Sequence, residues 1–256
     1  MALILPLLLY EDLLPTRDAL RDTAIIISNL QRLYIPKHPR QWEYGLNINL
    51  RGIVSQDLSI DQETIHASID FVTHKLRLGS TNWLLNEYSP PELFSNVRIW
   101  LDAHKQSSKL DSVKFDKGAY QYDKIQAKFY AQALWWMKEQ FDSISDSITE
   151  GSKSPVYLYA HHFDLSFAWF PYDDDRQIAL GFSTGDEHIA EPYLYLTQYP
   201  QSPEFHGIKP LKESKWFDRG FDGHIILYSE LQKSKKPKKI IAQYGEMMKD
   251  SRSLFN

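Results

Sequence analysis

The chain has 256 residues, 43% of them hydrophobic and 24% charged, with a formal net charge of −4 and a pI of about 6.1. That is the make-up of a globular protein long enough to bury roughly 70–75% of its unfolded-chain surface. A chain of this charge offers no global field for nucleic acid or for an acidic membrane. It holds no cysteine, which excludes disulfides, thiolate nucleophiles and cysteine-ligated zinc.

The opening Met1–Tyr10 is apolar but has neither a basic leader nor a small-residue cleavage site, so a signal peptide is not expected. We read about 1–12 as a short extension of a single globular domain over 1–256. No apolar run approaches the ~20 residues of a membrane span. Pro15-Thr16-Arg17-Asp18 opens a helical pattern to about Leu33, with apolar residues at Leu20, Ala24, Ile27 and Leu30. Tyr44, Leu46, Ile48 and Leu50 then alternate with polar residues, as in a strand wet on one face. From Thr64 to Leu78 the apolar phase switches from odd to even positions, which places a bulge or tight turn near Val72–His74. Ser89-Pro-Pro-Glu92 has the features of a helix start, Ser as cap and Glu three residues on, for a helix to about His104. Residues 105–117 read as a polar link. Between Tyr120 and Ile148 the spacing of Ile125, Phe129, Leu134/Trp136, Met137, Phe141 and Ile144 predicts the longest helix, with its aromatic stripe toward the core.

Strands are expected at about 155–170, 177–182, Tyr193–Tyr199 and Gly223–Tyr228, with a terminal helix over Lys239–Arg252. Helices precede strands without regular alternation, so the expected class is α+β, a mostly antiparallel sheet packed against several helices in a single domain.

The first of these strands carries Ala160-His-His-Phe-Asp-Leu165 inside an apolar run. Read as one strand, 155–170 puts His162, Asp164 and Ser166 on one face and His161, an expected core histidine, on the other. Residues two apart lie ~6.6 Å apart along a strand, so His162 and Asp164 could ligate one divalent ion, with His188 or His224 as third ligand. The plainer alternative is a hydrogen-bonded structural pair. An enzyme acting on a small polar molecule would then centre on His162 and Asp164, with Glu191 contributing. A non-catalytic ligand-binding or protein-interaction module is the alternative.

Gly181-Phe-Ser183-Thr-Gly185, followed by Asp222 and His224, matches the order of a hydrolase triad. That motif needs a strand, a sharp turn and a helix, and the residues after it look like strand. Ser183–Asp186 therefore reads as a turn with Gly185 at the unusual backbone angle. Asp173, Asp174 and Asp175 read as a wet hairpin tip. Five lysines between Lys233 and Lys239 read as a solvated loop, with no nucleic-acid partner. Without cysteines or a leader, the expected location is cytoplasmic.

Pro15-Thr-Arg-Asp18, Asp70-Phe-Val-x-His74-x-Leu76, His162-Phe-Asp-Leu165, Gly181-Phe-Ser-x-Gly-Asp186 and Glu191-Pro-Tyr193 form an ordered set. Through them the chain resembles a prokaryotic family of uncharacterised proteins, a domain of unknown function. The resemblance implies a compact domain and carries over no catalytic residue. Where the family pattern has His-Trp-Trp, this chain has Arg40-Gln41-Trp42.

Overall fold

The computed structural model describes residues 5–105, 110–115 and 120–255. Among the described residues, antiparallel strands and six α-helices make an α+β protein, as the order of elements in the sequence suggests. The described residues fall into two compact units. No described helix is long and apolar enough to cross a membrane.

One unit comprises Glu11–Trp135 with Leu158–Phe163. Helix α1 (Tyr10–Gln31) begins before Pro15 rather than at it. Pro15 forfeits a bond to the carbonyl four residues back, a cost the helix bears because Leu13, Leu20, Ala24, Ile27 and Leu30 are all buried. After a 3₁₀ turn at Trp42–Tyr44 come β1 (Gly45–Asn49), β2 (Gly52–Val54), β3 (Leu58–Ile60), β4 (Glu63–Ile65), β5 (Ala67–Asp70), β6 (Lys75–Leu78) and β7 (Thr81–Leu84). Strands β3 and β4 form a separate hairpin, and β1-β2-β5-β6-β7 is an antiparallel ladder. The phase switch expected near Val72–His74 is the turn between β5 and β6, with His74 left-handed at φ 56°. Leu50, expected on the buried face, is 78% exposed because the chain has already turned out of β1.

Helix α2 (Pro90–Ala103) starts where its capping box predicts: the Ser89 backbone N–H and hydroxyl both donate to Glu92 at 2.7 Å. The 110–115 part of the expected polar link has no helix or strand; the remainder beyond Lys105 lies outside the described residues. Helix α3 (Lys124–Ser147) is the longest, and its stripe of Leu134, Trp136, Met137, Phe141 and Ile144 is core, as expected, whereas Ile125 in its first turn is exposed.

The other unit comprises Trp136–Tyr157, Asp164 onward, and the segment up to Tyr10. That segment is built in rather than loose: Leu5 and Leu8 are buried, and the Pro6 carbonyl accepts from the Tyr228 phenol and the Gln232 amide. The sheet of this unit runs β13 (Ser214–Phe217), β14 (Gly223–Leu227), β12 (Tyr193–Tyr199), β11 (Gln177–Ser183), β10 (Asp164–Phe170), all antiparallel, with the short β8 (Ser152–Lys153) also on β10. The Asp173–Asp175 tip between β10 and β11 is exposed, and Asp174 accepts from Arg176. Three helices complete it: α4 (Pro203–His206), α5 (Tyr228–Lys233) and α6 (Pro237–Asp250). The lysine run expected as a loop is one at Ser234–Lys236, while Lys233 ends α5 and Lys238 and Lys239 fall in the first turn of α6, where Pro237 suits a helix start.

Cross-strand register assigns the two faces. Leu165, Phe182, Leu194 and Ile226 form one row, and Phe167, Leu180, Leu196 and His224 the next. This face is apolar and buried, with Phe167 edge-on to Phe141 of α3 and Phe182 beside Tyr228. The opposite face holds the polar residues.

Candidate functional site

The run 155–170 is not one strand. Strand β9 (Tyr157–Tyr159) ends at a turn over 160–163, and β10 begins at Asp164. Phe163 takes the left-handed conformation at φ 52°, a strain of roughly 1–2 kcal/mol for a residue with a Cβ. Its ring is 1% exposed and lies 5.3 Å from Tyr130, and full burial of a Phe side chain is worth roughly 1.5–3 kcal/mol. Packing thus outweighs strain, and the two-residue periodicity is reset. His161 and His162 are both exposed on the turn. The expected core position of His161 is corrected: it sits 6.4 Å from the Tyr44 ring, and desolvation, then the neighbouring His162 and Arg32, lower its pKa. The shared strand face expected for His162 and Asp164 is likewise corrected.

Asp164 pairs instead with Tyr195. Register aligns Asp164 with Ser183 and Tyr193, and Ser166 with Gly181 and Tyr195. From there the Tyr195 phenol reaches Asp164 and donates to its carboxylate. A Cβ at Gly181 would lie 2.1 Å from the Tyr195 ring, so the absence of a side chain there is what lets the ring cross the sheet. Burial, then the Asp164 charge, pushes the Tyr195 phenol well above its usual pKa, so it stays a donor. Next to it, Tyr193 donates to Asp186 Oδ2 at 2.6 Å. Burial, followed by that bond, raises the Tyr193 pKa as well.

Asp186 also shapes the loop before β12. Its Oδ1 accepts from the backbone N–H of His188 and Ile189 at 2.7 and 2.9 Å, and Gly185 takes φ 96°, the turn expected of Ser183–Asp186. Ile189 packs with Tyr193 and Ile225, and Phe217 and Phe221 cover them. The Phe221 ring stacks on Tyr193 at 6.2 Å.

Beside this cluster, the 186–191 loop and the edge strand β13 enclose a cavity of about 390 Å³. Its charged and aromatic walls are His188, Glu191, Lys215, Phe217, Asp218 and Arg219; Trp216 borders it too, but its ring packs on the apolar face against Phe205 and His224. Glu191 is anchored by one carboxylate oxygen, which accepts from the Ser229 N–H at 2.9 Å. The His188 ring is seated against Gly220, where a Cβ would come within 2.8 Å of it. Among the described residues, Lys215, Asp218 and Arg219 form no ion pair, so charge of both signs is available in one concavity. His188 and Glu191 therefore share a cavity, while His162 and Asp164 do not line it. Lys215, Trp216 and Arg219 were not singled out from the sequence; the only local signal was an aromatic pair flanked by opposite charges in Lys215-Trp-Phe-Asp-Arg219.

His162, Asp164 and His188 are not brought together. Among the described residues no three His, Asp or Glu side chains are grouped so as to hold a metal ion. His224 is 1% exposed, its Nε2 on the Phe205 carbonyl at 3.0 Å and its ring edge-on to Phe205 and Trp216. Desolvation lowers its pKa, which keeps it neutral in the core. Ser183 ends β11, no helix follows it, and its Oγ accepts from the Gly185 N–H. Register sets Ser183 level with Leu227, whereas His224 is level with Leu180, three residues along the sheet, so the order Ser, Asp, His forms no triad.

No curated protein and no solved structure matches the chain. The model of a family described as "Family of unknown function (DUF5996)" matches residues 171–250, a stretch that contains the whole cavity. Over those residues the chain is similar to a family without known activity, as the expected resemblance to a domain of unknown function implies.

Proposed function

We propose that the chain binds a small polar molecule in the cavity between the 186–191 loop and β13, and that holding a ligand, rather than turning it over, is what this site does. The supporting observation is the convergence of Lys215, Arg219, Glu191 and Asp218 with the apolar side chains of Phe217, Ile225 and Leu227 around one 390 Å³ space. A cavity that mixes apolar walls with a few converging charges is the usual form of a small-ligand site. Charge of both signs suits a ligand with an acidic group and a hydrogen-bond donor, such as an amino acid or an amino-phosphate. Arg219 would take the acid through its planar fork, and Glu191, anchored at one oxygen, would offer the other to the donor.

The test is a titration of full-length protein with amino acids, small dicarboxylates and phosphomonoesters, following the Trp216 backbone amide of β13 by NMR and the melting temperature together. A saturable Trp216 shift with a rise in Tm is expected for one class. Arg219→Gln should weaken it about tenfold, the loss of one charge-assisted contact. If no class moves Trp216, or if Arg219→Gln binds as well as the wild type, the reading fails.

A further inference from the structure

A second cavity, of about 230 Å³, lies in the other unit on the face of the β2-β5-β6 ladder. Register puts Gly52, Asp70 and Lys75 in one row and Val54, Ser68 and Arg77 in the next, on the face opposite buried Ile53, Ile69 and Leu76. A carboxylate on such a face is ordinarily wet. The side chain of Asp70 is only 2% exposed, because Arg51 and Arg77 close over it. Arg51 donates to Oδ2 through Nη2 at 2.6 Å and Nε at 3.1 Å, and Arg77 through Nε at 3.0 Å. The other oxygen accepts the backbone N–H of Val72 and Thr73, both at 2.9 Å.

One carboxylate offers about four acceptor positions. Asp70 already takes these five donors, so it has no capacity for the rest of the two guanidinium groups. It also cancels only one of their two positive charges. Arg51 Nη1 and Arg77 Nη1 have no partner among the described residues, and the two side chains are 58% and 37% exposed. The neighbouring polar groups in the cavity wall add donors. Asn49 spends its carbonyl oxygen on the N–H of Arg51 and Gly52, which leaves its amide N–H₂, and the Ser68 hydroxyl has no partner among the described residues. Gly52, at φ 150°, lets the chain entering β2 lie close against β5: a Cβ there would fall 2.0 Å from the Ile69 carbonyl oxygen.

We propose that this cavity binds a small oxyanion, the phosphate or carboxylate group of a metabolite, gripped by Arg51 and Arg77, with Asp70 holding the two guanidinium groups in position. The site is one of spare donors and one spare positive charge on side chains already immobilised, so an anion that enters meets a preorganised fork instead of two mobile chains. Asp70 is a positioning residue and does not touch the ligand.

The experiment titrates full-length protein with inorganic phosphate, and separately with acetate, at constant ionic strength set by chloride. The Nε–H resonances of Arg51 and Arg77 are followed by ¹H–¹⁵N NMR. Saturable shifts of both are expected, with phosphate or acetate the tighter according to which source the site suits. Arg77→Gln should weaken binding about tenfold or more, while Arg77→Lys, which keeps charge but loses the fork, should fall between. Should Arg77→Gln lose its fold, Arg51→Gln at the more exposed position serves instead. Lys215→Gln must leave the shifts unchanged, which separates this site from the cavity beside β13. Shifts that stay linear for both anions, or saturable shifts that persist in the Gln variants, overturn the proposal.

Discussion

The Tyr195–Asp164 bond can be weighed by removing its hydroxyl. In Tyr195→Phe the ring still crosses Gly181, so packing is kept and only the donor to a buried carboxylate is lost. A hydrogen bond to a charged group contributes roughly 1.5–3 kcal/mol, and the carboxylate of Asp164, 7% exposed, cannot turn to water for a replacement. We expect a loss of about 2–3 kcal/mol at pH 7, read as a lower urea midpoint in near-ultraviolet circular dichroism. Asp164→Asn in the same background supplies the second arm of a double-mutant cycle, with a coupling of about 1.5–3 kcal/mol expected. A cost below about 0.5 kcal/mol for Tyr195→Phe, or a cycle that closes without coupling, would refute the assignment of this bond as a structural element of the sheet.

Asp70 gives a pH signature. Burial opposes its ionisation, but Arg51 and the Thr73 and Val72 amides outweigh that and hold its pKa at about 2. Its contribution, on the order of 2 kcal/mol, is present above the unfolded pKa and is lost as pH falls toward 2. Asp70→Asn should be less stable than wild type by that amount at pH 7, with the two denaturation midpoints converging in acid. His162→Ala, by contrast, changes an exposed turn residue and should shift stability by no more than about 0.5 kcal/mol, with the Trp216 ligand response intact; a large loss in either measurement would restore His162 to a site.

Features written in neighbouring residues were legible. The Ser89–Glu92 capping box, the turn at Val72–His74, the Gly185 turn and the apolar stripe of α3 each depend on contacts within a few positions, which a local pattern encodes. What failed was a local pattern overruled from a distance. Period-two alternation through Ala160–Leu165 looks continuous, yet burying Phe163 against Tyr130, thirty-three positions earlier, outweighs the strain of a left-handed residue and turns both histidines outward. Pro15 looked like a start signal and lies inside a helix, because the buried stripe of α1 extends past it.

The candidate site divides in the same way. His188 and Glu191 could be singled out from the polar loop before a strand, and they do line a cavity. That Asp164 belongs to Tyr195 and not to His162 depends on the register of three strands and on a missing side chain at Gly181, neither of which the alternation of residues encodes. By itself the chain determined its class, the cap of α2 and the turns at Val72–His74 and Gly185, because those energies are local. Which polar groups meet was decided by the tertiary structure, since a buried carboxylate takes whatever donor the sheet register sets opposite it.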